Sequence, residues 1–263
     1  MLKMMQYKLF IMPLWRKLLS FVVIFLFVSI DVKLYKGLKP TLLEFVVIHF
    51  NDAKTIDYFY LILIMILSAD IFNGAENPYE DIIVLKTGGR KKWFFKISVY
   101  TLWLSFAIAC VYMLAVCMIG TLGGFTGFYI DTQFIELKQL HSWQIVGEII
   151  LLTGLRISFL NMLILCINLV CMNNPMGFVA VFVISIIDRF FYETFDIMEP
   201  LRITPIEHTR IIYTEAVAPM TYNAMRFPVS FSVLYWIAGI FITINVLYLV
   251  VMQKDFGVRN IKY

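Results

Sequence analysis

Three stretches of this chain, Ile97 to Ile130, Ile157 to Ile187 and Phe227 to Gln253, contain no charged residue. An apolar run of this kind matches the roughly 20 helical residues needed to cross the hydrocarbon core of a bilayer. Each run also exceeds what one face of a soluble helix can bury. Composition agrees: 61% of the 263 residues are hydrophobic and only 15% are charged, against about 25% charged in an ordinary soluble domain. With a mean hydropathy of +0.83, the apolar residues must face lipid. The net charge of +4 is too small to mark a nucleic-acid binder and reads as membrane orientation.

The second run is interrupted by Asn173-Asn174-Pro175, a turn sequence that splits it into two helices. Two weaker runs precede these, Leu18–Ile30 and Tyr58–Ala69, which reach a spanning length if flanking charges such as Arg16, Lys17, Asp57 and Asp70 extend to the headgroups. The expectation is therefore an all-α polytopic protein, one transmembrane domain over 1–263. Its six spans are expected near 15–31, 56–72, 97–120, 149–170, 176–195 and 229–252. Basic clusters abut the helices on the N-terminal side, at Arg16-Lys17, at Arg90-Lys91-Lys92 and at Lys254. That places both termini in the cytoplasm, with Trp15 and Trp93 at the inner headgroups and Tyr58, Tyr60 and Trp143 at the outer ones.

The cytoplasmic loop between spans 2 and 3 reads NPYEDIIVLKTGGRKKWFFK. Asn77 suits a helix cap, Pro78 the first helical position and Gly88-Gly89 a left-handed stop. A helix over Pro78–Thr87 is too short to be stable alone in water, so the headgroups, its own bundle or a partner must hold it. A solvated basic connector is an equal reading of the same residues. The N-terminal stretch KLFIMPLWRKLLSF mixes basic and bulky apolar residues and suits a helix lying in the membrane interface.

An interfacial N-terminal helix, six spans, a capped cytoplasmic helix and a long outer connection over 188–228 together resemble the ABC-2-type permeases, the membrane subunits of one class of ATP-binding-cassette transporters. The resemblance lies in layout more than in letters. It implies that Pro78, Tyr79, Glu80, Asp81, Ile82, Ile83 and Leu85 form a coupling helix that docks on an ATPase. The chain has no phosphate-binding G-x-x-x-x-G-K-[ST] loop, so ATP and Mg would be bound by that separate partner. The resemblance further implies a second permease as homo- or heterodimer partner, residence in a bacterial plasma membrane and no catalysis by this chain. The expected function is export of an amphipathic substrate: a peptide, toxin, antibiotic or lipid. A sensing or immunity subunit and an ATP-independent secondary transporter are the alternatives.

Within the spans, Arg156, Asn161 and Asn168 fall on a broad polar stripe with Thr153, a possible substrate path. Asp188 and Arg189 close span 5, where Arg189 has Glu193 one turn away. Gly120/Gly124 and Gly123/Gly127 carry spacing that permits close helix approach. His49, His141 and His208 all fall in outer connections and match no local metal-ligand spacing. Cys110, Cys117, Cys166 and Cys171 lie in or beside apolar runs and read as packing residues.

Overall fold

The structure, a computed structural model, describes residues 14–52, 55–72, 89–131, 135–171, 174–195, 207–209, 212–218, 221–226 and 229–253. The expected coupling helix at 78–87, and most of the expected N-terminal interfacial helix, lie outside the described residues.

Among the described residues, seven helices organise the chain: α1 (Leu14–Tyr35), α2 (Leu42–Asn51), α3 (Tyr60–Phe72), α4 (Arg90–Leu122), α5 (Ser142–Cys171), α6 (Asn174–Phe195) and α7 (Val229–Gln253). Among the described residues, four of them are long and apolar enough to cross a bilayer: α1, α4, α5 and α7. They mark the protein as membrane-embedded. One departure from an all-helical chain lies between α6 and α7, where β1 (Ile212–Ala218) pairs antiparallel with β2 (Thr221–Arg226), Ile212 opposite Arg226.

The bundle has two ends. At one, Arg90 opens α4 and donates from Nη1 to the Met252 carbonyl of α7 at 3.0 Å. At the other, Ser142 opens α5 and donates to the Phe128 carbonyl in the loop after α4 at 2.8 Å, with Phe128 packed against the exposed Trp143. In the most apolar window of α5, 78% of residues are buried, against 22% for α1 and for α7. So α5 is the central post and the other two show most of their surface to the surroundings.

The sequence expects an outer connection over 31–57; α1 continues through Asp31 to Tyr35, and the connection then forms α2. Local chemistry explains this helix. Thr41 caps it by accepting from the Glu44 N–H, and Glu44 returns the bond to the Thr41 N–H at 2.9 Å, a reciprocal capping box. The loop after α4 clamps the same turn: Leu42 N–H reaches the Gly127 carbonyl at 3.0 Å, Thr41 Oγ1 donates to the Tyr129 carbonyl and Glu44 accepts from the Asp131 N–H. The other end of α2 reaches Tyr112, roughly 15 Å back along α4 at 1.5 Å per residue. Hence α2 folds back beside α1 and α4.

A π-helical turn over Thr55–Phe59 then leads into α3. Phe59, Tyr60 and Leu63 pack in the cluster with Tyr112, whereas Leu61 and Ile64 join the cluster of Trp93, Leu104 and Ile157 nearer the Arg90 end. Thus α2 and α3 follow one another from the Phe128 end towards the Arg90 end. The 13-residue α3 is only about 20 Å long.

Glycine spacing in α4 has a concrete consequence. A Cβ on Gly123 would lie 2.5 Å from Val32 Cγ1 of α1, and one on Gly120 would lie 2.9 Å from both Leu42 and Phe45 of α2. Gly124 and Gly127, at φ +97° and +84°, instead shape the turn that clamps α2. Among the expected belt aromatics, Trp15 and Trp143 are exposed, whereas Trp93 and Tyr60 are buried.

Candidate functional site: a buried polar core

Two polar clusters lie inside this apolar bundle. The first joins α1, α2 and α4. His49, in the last turn of α2 and fully buried, places Nδ1 2.6 Å from Asp31 Oδ2 of α1. Its Nε2 is hydrogen-bonded to the hydroxyl of Tyr112 in α4. Phe27, Phe45 and Phe50 ring the imidazole with centroids 5.6–6.2 Å away. Asp31 and Tyr112 are likewise buried.

The second cluster centres on Arg156, the midpoint of the 30-residue α5, roughly 20 Å from either end. Its guanidinium donates from Nη1 to Thr209 Oγ1 at 3.0 Å, lies 3.9 Å from the Asp188 carboxylate of α6 and stands 5.8 Å over the Trp236 ring of α7. The short turn Glu207–Thr209 therefore reaches deep between helices from the connection after α6. Trp236 Nε1–H fixes that turn by donating to the His208 carbonyl at 2.9 Å, while the His208 ring stacks on Tyr235 with a 4.0 Å centroid distance. Burial of Arg156 is feasible because an opposite charge, a hydroxyl and an aromatic face all meet it.

Tyr60, at the start of α3, bridges the two clusters. Its hydroxyl meets Thr153 Oγ1 at 3.2 Å, one turn before Arg156, and its ring stands edge-on to Tyr112. A near-continuous line of polar side chains thus crosses the bundle from Asp31 to Asp188.

The expected stripe on α5 is buried throughout and engaged with neighbouring helices. Asn161 Nδ2 donates to Ser105 Oγ of α4 at 2.9 Å, and the Ser105 hydroxyl donates in turn to the Thr101 carbonyl. Asn168 Oδ1 accepts from the Gly177 N–H at 2.8 Å, capping the first turn of α6 from outside, where Pro175 cannot donate. These two asparagines tie α5 to α4 and α6. Arg156 is a true centre, but its carboxylate is Asp188, whereas Arg189 stands over the Tyr58 ring at 5.4 Å. The coupling residues Pro78, Tyr79, Glu80, Asp81, Ile82, Ile83 and Leu85 lie outside the described residues.

Sequence reasoning placed His49 and His208 in outer connections; both are buried, and His141 alone of the three is exposed. The missed signal was local: Thr41-Leu42-Leu43-Glu44 is a readable capping box, and it starts the helix that carries His49 inward. Among the described residues no group of three metal-ligating side chains comes together.

Comparison with known protein families, with curated proteins and with solved structures finds no match for this chain. Fold and polar core together define its class, a membrane-embedded helical protein with a buried charged centre.

Proposed function

We propose that the chain is the permease subunit of an ATP-driven exporter of an amphipathic substrate, working with a separate ATPase and a second permease. In this reading α1, the α2–α3 pair and α4 to α7 make six passes, with both termini in the cytoplasm. The observation that carries it is the Arg90–Met252 clasp at the foot of α4 and α7. Residues 73–88, which include the expected coupling residues, precede α4 in the sequence. A push on that segment would move α4 and α7 together. Their far parts hold opposite walls of the polar core, Tyr112 on one and Trp236 on the other. The working stroke would separate α7 and α6 from α5 around Arg156, exchanging the buried ion pair for a polar opening.

Single cysteines introduced along Pro78–Thr87, cross-linked in native membranes, test this directly. Capture of a phosphate-loop ATPase is expected, together with loss of ATP-driven vesicle transport when Glu80 and Asp81 are replaced. Function that persists after 78–87 is scrambled, with no ATPase captured, would sink the exporter. A lone chain responding to an ion gradient would then favour a secondary transporter, and ligand binding without transport a sensing or immunity subunit.

A further inference from the structure

We propose that Asp31, His49 and Tyr112 form a proton-binding site whose occupancy holds the half-helix α2 docked against α1 and α4. The inference rests on these helices alone and does not depend on the exporter reading.

Charge accounting carries it. With a neutral imidazole, Nδ1–H donates to Asp31 and Nε2 accepts from the Tyr112 hydroxyl, so both bonds form while the cluster keeps one negative charge. His49 is the sole ion-pair partner of Asp31 among the described residues. A buried carboxylate beside this phenylalanine-ringed imidazole is costly unless neutralised. One proton taken from solvent makes an imidazolium–carboxylate pair of zero net charge, and Tyr112 turns from donor to acceptor.

Histidine is the side chain suited to such exchange near neutral pH.

Among the described residues, the other groups facing this site do not supply a compensating charge. Tyr35 of α1, half-buried Asp52 at the end of α2 and Tyr60 of α3 are acidic or neutral. Glu44 is committed to the N–H groups of Thr41 and Asp131. From α5, Glu148 is hydrogen-bonded by Gln144, and Arg156 is engaged by Asp188 and Thr209. Lys33, Lys36 and Lys39 are exposed. Deprotonation therefore weakens the link that seats α2, whose first turn stays clamped by the loop after α4.

The test is nitrogen-15 histidine NMR on the full chain in lipid nanodiscs, where three histidines give separable rings and His49→Gln assigns one. Between about pH 5 and 8, the His49 ring signals should titrate. Amide exchange over 42–51 should rise towards the alkaline side across the same range. Asp31→Asn should lower the proton affinity of His49 by tenfold or more, and Tyr112→Phe should leave the titration in place. A His49 ring locked in one neutral tautomer throughout, with unchanged exchange in α2, overturns the proposal. So does a signal that follows sodium at fixed pH, or an Asp31→Asn variant that titrates like the parent.

Discussion

The two ends of the polar line solve the same problem in different ways. Around Arg156, every element brings something that offsets the buried cation: a carboxylate from α6, a hydroxyl from the inserted turn and an indole face from α7. Around His49, a carboxylate meets a weak base that is itself bonded to a phenol and ringed by phenylalanines. The first centre is balanced and joins three long helices and the inserted turn, so moving those helices apart must break it. The second is balanced only when a proton is present, and one of its three supports is a ten-residue helix. Burial is similar in both, so the difference teaches that charge balance and the length of the supporting elements decide which centre answers to a proton.

The largest effect should come from breaking the balanced centre. Arg156→Leu leaves Asp188 buried and is expected to cost about 3–5 kcal/mol, whereas Arg156→Leu with Asp188→Leu should recover most of it. Unfolding in mild detergent, read as a double-mutant cycle, checks the non-additivity. His49→Ala removes two hydrogen bonds and leaves a cavity, and should cost about 2–4 kcal/mol, with the loss of protection confined first to α2 in hydrogen exchange. Crowding the contact of α1 with the end of α4, beside the His49 centre, comes next. Gly123→Ala forces Val32 and α1 aside for about 1–3 kcal/mol, while Gly147→Ala in α5, with open space around it, should stabilise by about 0.5–1 kcal/mol. The smallest loss is expected from Asn168→Ala, about 1 kcal/mol for one external helix cap, seen as faster exchange in the first turn of α6.

Much of the helical frame is legible from the chain because long uncharged runs have one solution in lipid. The Asn173-Asn174-Pro175 break and the strong runs at 97, 157 and 227 fall on α4 to α7 accordingly. The helices extend beyond the uncharged cores because Arg90, Lys91 and Lys92, like Ser142 to Glu148, can stay helical outside the hydrocarbon. The polar pairings were not legible. Asp31, His49 and Tyr112 come from three separate helices, as do Asn161 and Ser105 from two, and no spacing along one chain announces such contacts. The resemblance allows short re-entrant pieces within the connection over 188–228, but nothing in the sequence singles out Glu207–Thr209 as the turn that Trp236 and Arg156 receive. Arg156 itself stood out because a lone cation amid apolar residues demands a partner, though not which one.

One side-by-side measurement goes to the centre of this picture: the stability of Asp31→Asn and Asp188→Asn in the same lipid, on the alkaline side of neutrality. Asn at 31 keeps an acceptor for His49 while removing the uncompensated charge, so that variant should be as stable as the parent or more so, its advantage shrinking as pH falls. Asn at 188 strands the guanidinium and should unfold far more readily. Equal losses at the two positions, or a loss at 31 exceeding that at 188, would contradict the division into a self-balanced centre and one that awaits a proton.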